Sequence, residues 1–175
     1  MWGAIKVAIN SMVGKGAQTL DRVSIDAAEE VLYNIMRDKY GTAYGEGDDA
    51  VVCERVATTP VSWISGSASL QKVYFAPETQ NFRGAVLSGC PEIEELYLPC
   101  AVRIEYNAFS NLPSLKTVVL GNKLAFLGSG AFIRCNALQT IFFRGTLSQW
   151  EAVQKRSNWK ESEVTVYCYD GNTKG

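Results

Sequence analysis

The side chains in this sequence that could do chemistry are few, and histidine is not among them. Acid–base catalysis needs a carboxylate pair in fixed geometry, a thiol beside a base, or a lysine in an apolar pocket. Without imidazole, Ser-His and Cys-His nucleophiles are excluded. Carboxylates gather in "EGDD" (46–49) and "EIEE" (92–95). The first could offer oxygens to calcium but lacks the fuller spaced ligand set, so both runs read as solvated loop or turn charge. "GKGAQT" (14–19) lacks the order of a phosphate loop. Cysteines stand at 53, 90, 100, 135 and 168, with no CxxC pair, and an odd number cannot close completely into disulfides. They are expected to be buried, reduced thiols filling small apolar spaces. No catalytic, cofactor-binding or metal-binding residue is expected.

The totals narrow the classes further. A chain of 175 residues, 47% of them hydrophobic, can bury a core. Seventeen basic against 18 acidic residues give a net charge of −1, which provides no field for nucleic acid. The apolar clusters are broken by charge every few residues, so no membrane span is expected. "MWGAIKVAINSMVGKG" lacks the uninterrupted apolar core of a secretory signal, and export by that route is not expected.

The elements that would position any site are dominated by repetition. Ala85-Val86, Ala108-Phe109 and Ala131-Phe132 recur at steps of 23. Leu70, Ile93, Leu115 and Leu138 follow in parallel, as do Val73, Leu96, Val118 and Ile141, and then Phe75, Leu98, Leu120 and Phe143. Each copy reads L-x-x-V-x-L, a short strand with its apolar side chains on one side. Strands expected near 73–75, 96–98, 118–120 and 141–143 leave too little chain for crossover helices. They fit one coil each of a solenoid, stacked as a parallel ladder. A second apolar site (Phe82, Ile104, Leu127) and a corner site (Cys90, Leu112, Cys135) accompany each copy, while Pro77, Pro99, Gly121 and Gly145 stop the strands.

The pattern "AFxxLxxLxxVxL…LxxxGxxAFxxCxxLxxIxF" over about 65–145 resembles the BspA-type leucine-rich repeat of bacterial and bacteriophage proteins. The tail from Phe142 is similar to segments that close such arrays. Leu147, Trp150 and Val153 make a helical stripe, Trp159 covers the open end, and Val164, Val166 and Cys168 alternate as a strand. The expected fold is α+β: a short leucine-rich-repeat solenoid with a parallel strand ladder, an N-terminal helical segment (1–56), the array (57–145) and a C-terminal cap (146–175).

The N-terminal third does not repeat. Trp2, Ile5, Ile9, Met12 and Val13 form one helical stripe, ended by Gly14 and Gly16. A second stripe follows Ser24, with Ala28, Val31, Leu32, Ile35 and Met36, and Gly41 as its C-cap. The segment is read either as a cap on the first coil or as an attachment element built on Trp2, Ile5, Ile9 and Met12.

Function is therefore expected to reside in surface. Tyr74, Tyr97, Val119 and Phe142 point outward from successive strands as an aromatic-rich row, beside a polar column of Lys72, Glu95, Thr117 and Thr140. This row is expected either to contact a partner or to be covered by the N-terminal helices or another chain. The resemblance, with the missing export signal, implies a non-enzymatic bacteriophage virion component, made in the host cytoplasm, that presents the repeat to a protein or cell-surface ligand and assembles as a homo-oligomer or particle. The alternatives are a bacterial surface adhesion module and an intracellular interaction scaffold.

Overall fold

The computed structural model describes residues 22–42 and 48–175, with the side chains of 29–42 and 48–175. Six short strands pair in parallel: β1 (Ala50–Val52), β3 (Lys72–Tyr74), β6 (Glu95–Leu98), β8 (Thr117–Gly121), β10 (Thr140–Arg144) and β12 (Thr165–Cys168). An antiparallel strand, β13 (Gly171–Lys174), closes the sheet. The parallel ladder thus begins at Ala50 and runs to Cys168. Val51, Val73, Leu96, Val118, Ile141 and Val166 are in register, one per coil, and all are buried.

Each coil has two further sides. A second parallel ladder joins β4 (Asn81–Phe82), β7 (Arg103–Ile104), β9 (Phe126–Leu127) and β11 (Gln154–Lys155). The third begins with β2 (Ile64–Ser65) against β5 (Leu87–Ser88). It continues as single backbone bonds, from Val86 N–H to Ala108 O (2.8 Å) and from Phe109 N–H to Ala131 O (2.9 Å). Between the sides runs a stack of rings: Phe75 packs edge-on to Phe82, and Phe109 stacks on Phe132 with centroids 5.7 Å apart. Phe132 meets Trp159 of the last coil, and Trp159 meets Trp150. The Ala-Phe pairs are fully buried here, which is why the phrase recurs.

Two corners per coil require left-handed backbone. Ser62, Ala85, Asn107 and Gly130 share positive φ, and so do Gly66, Gly89, Asn111 and Arg134. These positions recur at the repeat period although their residue types differ, with glycine, asparagine and other side chains sharing one conformation. Behind the strands, Gly121 has a separate role. A Cβ there would lie 1.7 Å from the Pro99 carbonyl oxygen of the neighbouring coil, so the coils approach where no side chain fits.

The last coil is closed by α2 (Leu147–Ala152). Thr146 caps it and Gln149 reaches back to the cap, a reciprocal capping box. Trp150, Val153 and Trp159 are buried over the final coil.

The helix α1 (Arg22–Tyr40) differs from expectation in three respects. Ser24 lies inside it rather than ahead of it. Its buried side is Glu29, Tyr33 and Met36, with Leu32 and Tyr40 half-buried, while Val31 and Ile35 are exposed. The expected stripe was thus rotated by about one residue step, roughly 100°. Gly41 does end the helix, with φ +75° and its N–H on Arg37 O at 2.8 Å. Nor does α1 cap only the end of the first coil: its buried residues share one apolar cluster with residues of β1, β3, β6 and β8 along the ladder face. The stripe of Trp2, Ile5, Ile9 and Met12 lies outside the described residues.

Candidate functional site

The outward row of the ladder was the sequence-predicted surface. The structure divides it. Tyr74, Tyr97 and Val119 are buried beneath α1 in one apolar cluster with Tyr33, Met36, Val52 and Ala76. Tyr40 stacks on Tyr74 at 6.2 Å, and the Tyr33 hydroxyl donates to Cys53 O at 2.9 Å. These three side chains are therefore occupied by the chain's own helix. The row emerges beyond it, where half-buried Phe142 stacks on exposed Tyr167 at 5.6 Å. Lys72, Glu95, Thr117 and Thr140 follow one another in register along the ladder rim, each half-buried.

Under α1 sits a polar cluster that sequence reasoning missed. The Tyr97 hydroxyl donates to Glu29 Oε2 at 2.6 Å, and Arg144 Nη1 donates to the Tyr97 oxygen at 3.0 Å and also contacts Glu29 Oε1. Glu29 and Arg144 are both buried. Burial pushes the Tyr97 phenol far above its ordinary value, so it stays neutral and remains a donor. Arg144 was within reach of the sequence: it follows Phe142 by two residues in a strand, hence on the same face. Glu29 was hidden by the misphased helix. At the rim Arg55 bridges Glu30 and Glu78 and lies over the Tyr33 ring at 4.4 Å. The cluster pins a helix and is fully engaged in doing so.

The acidic runs do not converge. Asp48 and Asp49 are exposed, and Glu46 lies outside the described residues. In the second run Ile93 is core, while Glu94 pairs with Lys116 at 2.6 Å. All five cysteines are buried free thiols. Burial raises the Cys135 and Cys168 thiols to about 11 and pushes Cys53 higher still, which disfavours thiolate formation. Cys53 borders a cavity of about 180 Å³ at the first coil, with Thr42, Val51, Glu54, Trp63 and Ile64. No group of three or more metal-ligating side chains occurs among the described residues. No described helix is long and apolar enough to cross a membrane.

The second ladder presents a different outer surface. Asn81, Arg103, Phe126 and Gln154 stand in register and point away from buried Phe82, Ile104 and Leu127. The sequence showed the buried partners of this row but not the row itself, since these strands are two residues long and carry no alternation of their own.

Three outer sides built from one coiled repeat, with residue rows set at fixed spacing, define a solenoid. The family model for the BspA type leucine rich repeat region matches six copies over residues 60–154, more than half of the chain, and the protein belongs to that family. No curated protein matches it. Among solved structures, a leucine rich cell surface protein from Faecalibacterium prausnitzii A2-165 is similar, with a TM-score of 0.56 and 22% identity. The likeness covers 67% of this chain but only 31% of that one, and it shows the fold.

Proposed function

We propose that this protein is a non-enzymatic binding module of a bacterial cell surface, recognising a partner by rows of side chains on its repeat. The observation that carries the reading is the solenoid itself, whose described residues assemble open rows and no converging catalytic groups. Membership of the BspA-type family and the likeness to a leucine-rich cell surface protein support it. Neither comparison supports the bacteriophage reading. Of the contact residues expected on the ladder, Phe142 is the aromatic that stays half-exposed, at the edge of the cluster under α1, and with Tyr167 it is the candidate contact there. Lys72 and Glu95 would border it only at the covered end. Assembly through Trp2, Ile5, Ile9 and Met12 belongs to the same proposal: deletion of residues 1–16 should leave the repeat folded and abolish any oligomer.

The test is fractionation of the source cells with an antibody to the chain. Recovery with the envelope, and digestion by protease added to intact cells, supports the proposal. Recovery in sedimented phage particles would overturn it in favour of a virion component.

A further inference from the structure

The second ladder's outer face differs in charge and chemistry from the row that α1 covers. Its first row reads amide, guanidinium, ring, amide: Asn81, Arg103, Phe126 and Gln154. Two residues further on, the ladder bonding continues through Glu105, Gly128 and Arg156, whose N–H groups reach Phe82 O, Ile104 O and Leu127 O at 2.8, 2.7 and 3.0 Å. Arg83 begins this second row, and Gly128 leaves a gap in it. Arg83, Arg103 and Arg156 are exposed, and Glu105 is the one carboxylate in the two rows.

Arg103 is held in place. Its guanidinium lies 4.3 Å from the centre of the Phe126 ring, and its Nε donates to Glu105 Oε1 at 2.7 Å. That grip leaves the two terminal nitrogens, the fork that takes a carboxylate or sulfate bidentately, directed to neither contact. Arg156 approaches the same ring at 5.8 Å. Neither Arg83 nor Arg156 has a carboxylate partner among the described residues. One coil separates Arg103 from Arg156, so their strands lie about 10 Å apart. Such an array rewards a ligand with charges repeated along its length, and the pre-fixed Arg103 guanidinium loses little entropy on binding.

The neutral members select the kind of anion. Asn81 and Gln154 bracket the row with side-chain amides, each able to donate to and accept from a hydroxyl. Phe126, half-buried between the arginines, supplies the ring face, and Tyr106, exposed to 64%, directly follows Glu105 in sequence. Amides for hydroxyls, a ring for C–H faces and forks for acidic groups match an acidic sugar polymer better than an acidic peptide, which has no hydroxyl array to satisfy the amides. We propose that this face binds an extended acidic polysaccharide across the Asn81–Arg103–Phe126–Gln154 row. The inference rests on the reading of the protein as a binding module.

The experiment is titration of the full chain with polygalacturonate, dextran sulfate, uncharged dextran and poly-glutamate. Salt-sensitive binding of polygalacturonate or dextran sulfate, with none of dextran, is expected, and these two arms separate carboxylate from sulfate as the recognised group. The double variant R103Q/R156Q should weaken binding by about ten-fold or more, as loss of two charge-assisted contacts implies. R134Q, which removes an exposed arginine at a coil corner, should not. N81A/Q154A leaves the charge unchanged and should still weaken the polysaccharide. Thermal melts of each variant confirm the fold. Equal or tighter binding of poly-glutamate, indifference to N81A/Q154A, or no binding of either acidic polysaccharide overturns the proposal. Envelope fractionation is read independently, so failure here leaves the cell-surface reading standing.

Discussion

Two outer faces of the same coil meet different fates. The ladder's row is Tyr74, Tyr97 and Val119, and α1 lies over it. The second ladder's row is amide, guanidinium, ring and amide, and it stays open. Both rest on one interior of leucines and stacked phenylalanines, so the backbone does not decide between them. The outward residue types do: Tyr74, Tyr97 and Val119 gain by being covered, and Arg144 beneath α1 is buried only together with Glu29, whereas a guanidinium and amides without such a buried partner would gain little and lose hydration. An exposed row in a repeat protein is therefore best read by what its burial would cost.

The comparison can be broken hardest at the shared interior. Phe132→Ala leaves a cavity between Phe109 and Trp159 and should destabilise the fold by about 3–5 kcal/mol in urea titrations monitored by circular dichroism. Loss confined to one face would refute a common core.

The covered face is tested at its polar cluster. Glu29→Ala strands a buried guanidinium and should cost about 3 kcal/mol or more, whereas the double variant Glu29→Leu/Arg144→Leu should recover most of that loss. A double-mutant cycle in the same titration measures the coupling. A negligible cost for Glu29→Ala would mean that α1 is held by its tyrosines alone.

The rim of the covered face should respond weakly to acid. The side-chain hydrogen bond from Arg55 holds the Glu30 carboxyl below its ordinary 4.5, so its contribution is present above that value and lost as pH falls through the folded value. Both groups are over a third exposed or nearly so, and the effect should stay within about 1 kcal/mol. Comparing acid titrations of wild type and Glu30→Gln checks the sign. Smallest of all, Arg103→Gln on the open face should change stability by no more than about 0.5 kcal/mol. A larger loss would mean that its contact with Phe126 supports the fold.

Much of the array was legible because three apolar columns recur together. Leu96, Leu98, Leu115, Leu120 and Leu138 occupy the buried positions that the period assigned. The corners were not legible, since Ser62, Ala85, Asn107 and Gly130 share a conformation but no side chain. The face that α1 buries does not follow from apolarity alone. Val31 and Ile35 look like core, yet the face actually buried is chosen by Tyr33, Met36 and a carboxylate that meets Arg144 and Tyr97 across the sheet. A long-range polar match of this kind has no local period. The open arginine row was likewise invisible, because its residues share no type and only the coil brings them into register.

The buried thiols have a use for the observer. Cys53 sits on the first coil and Cys168 on the last ladder strand, with Cys90, Cys100 and Cys135 between them. A solenoid opens more readily where a coil has a neighbour on one side only. Each sulfur can react with an alkylating reagent only when its own coil loosens, so the order of labelling along the chain records from which end the molecule frays.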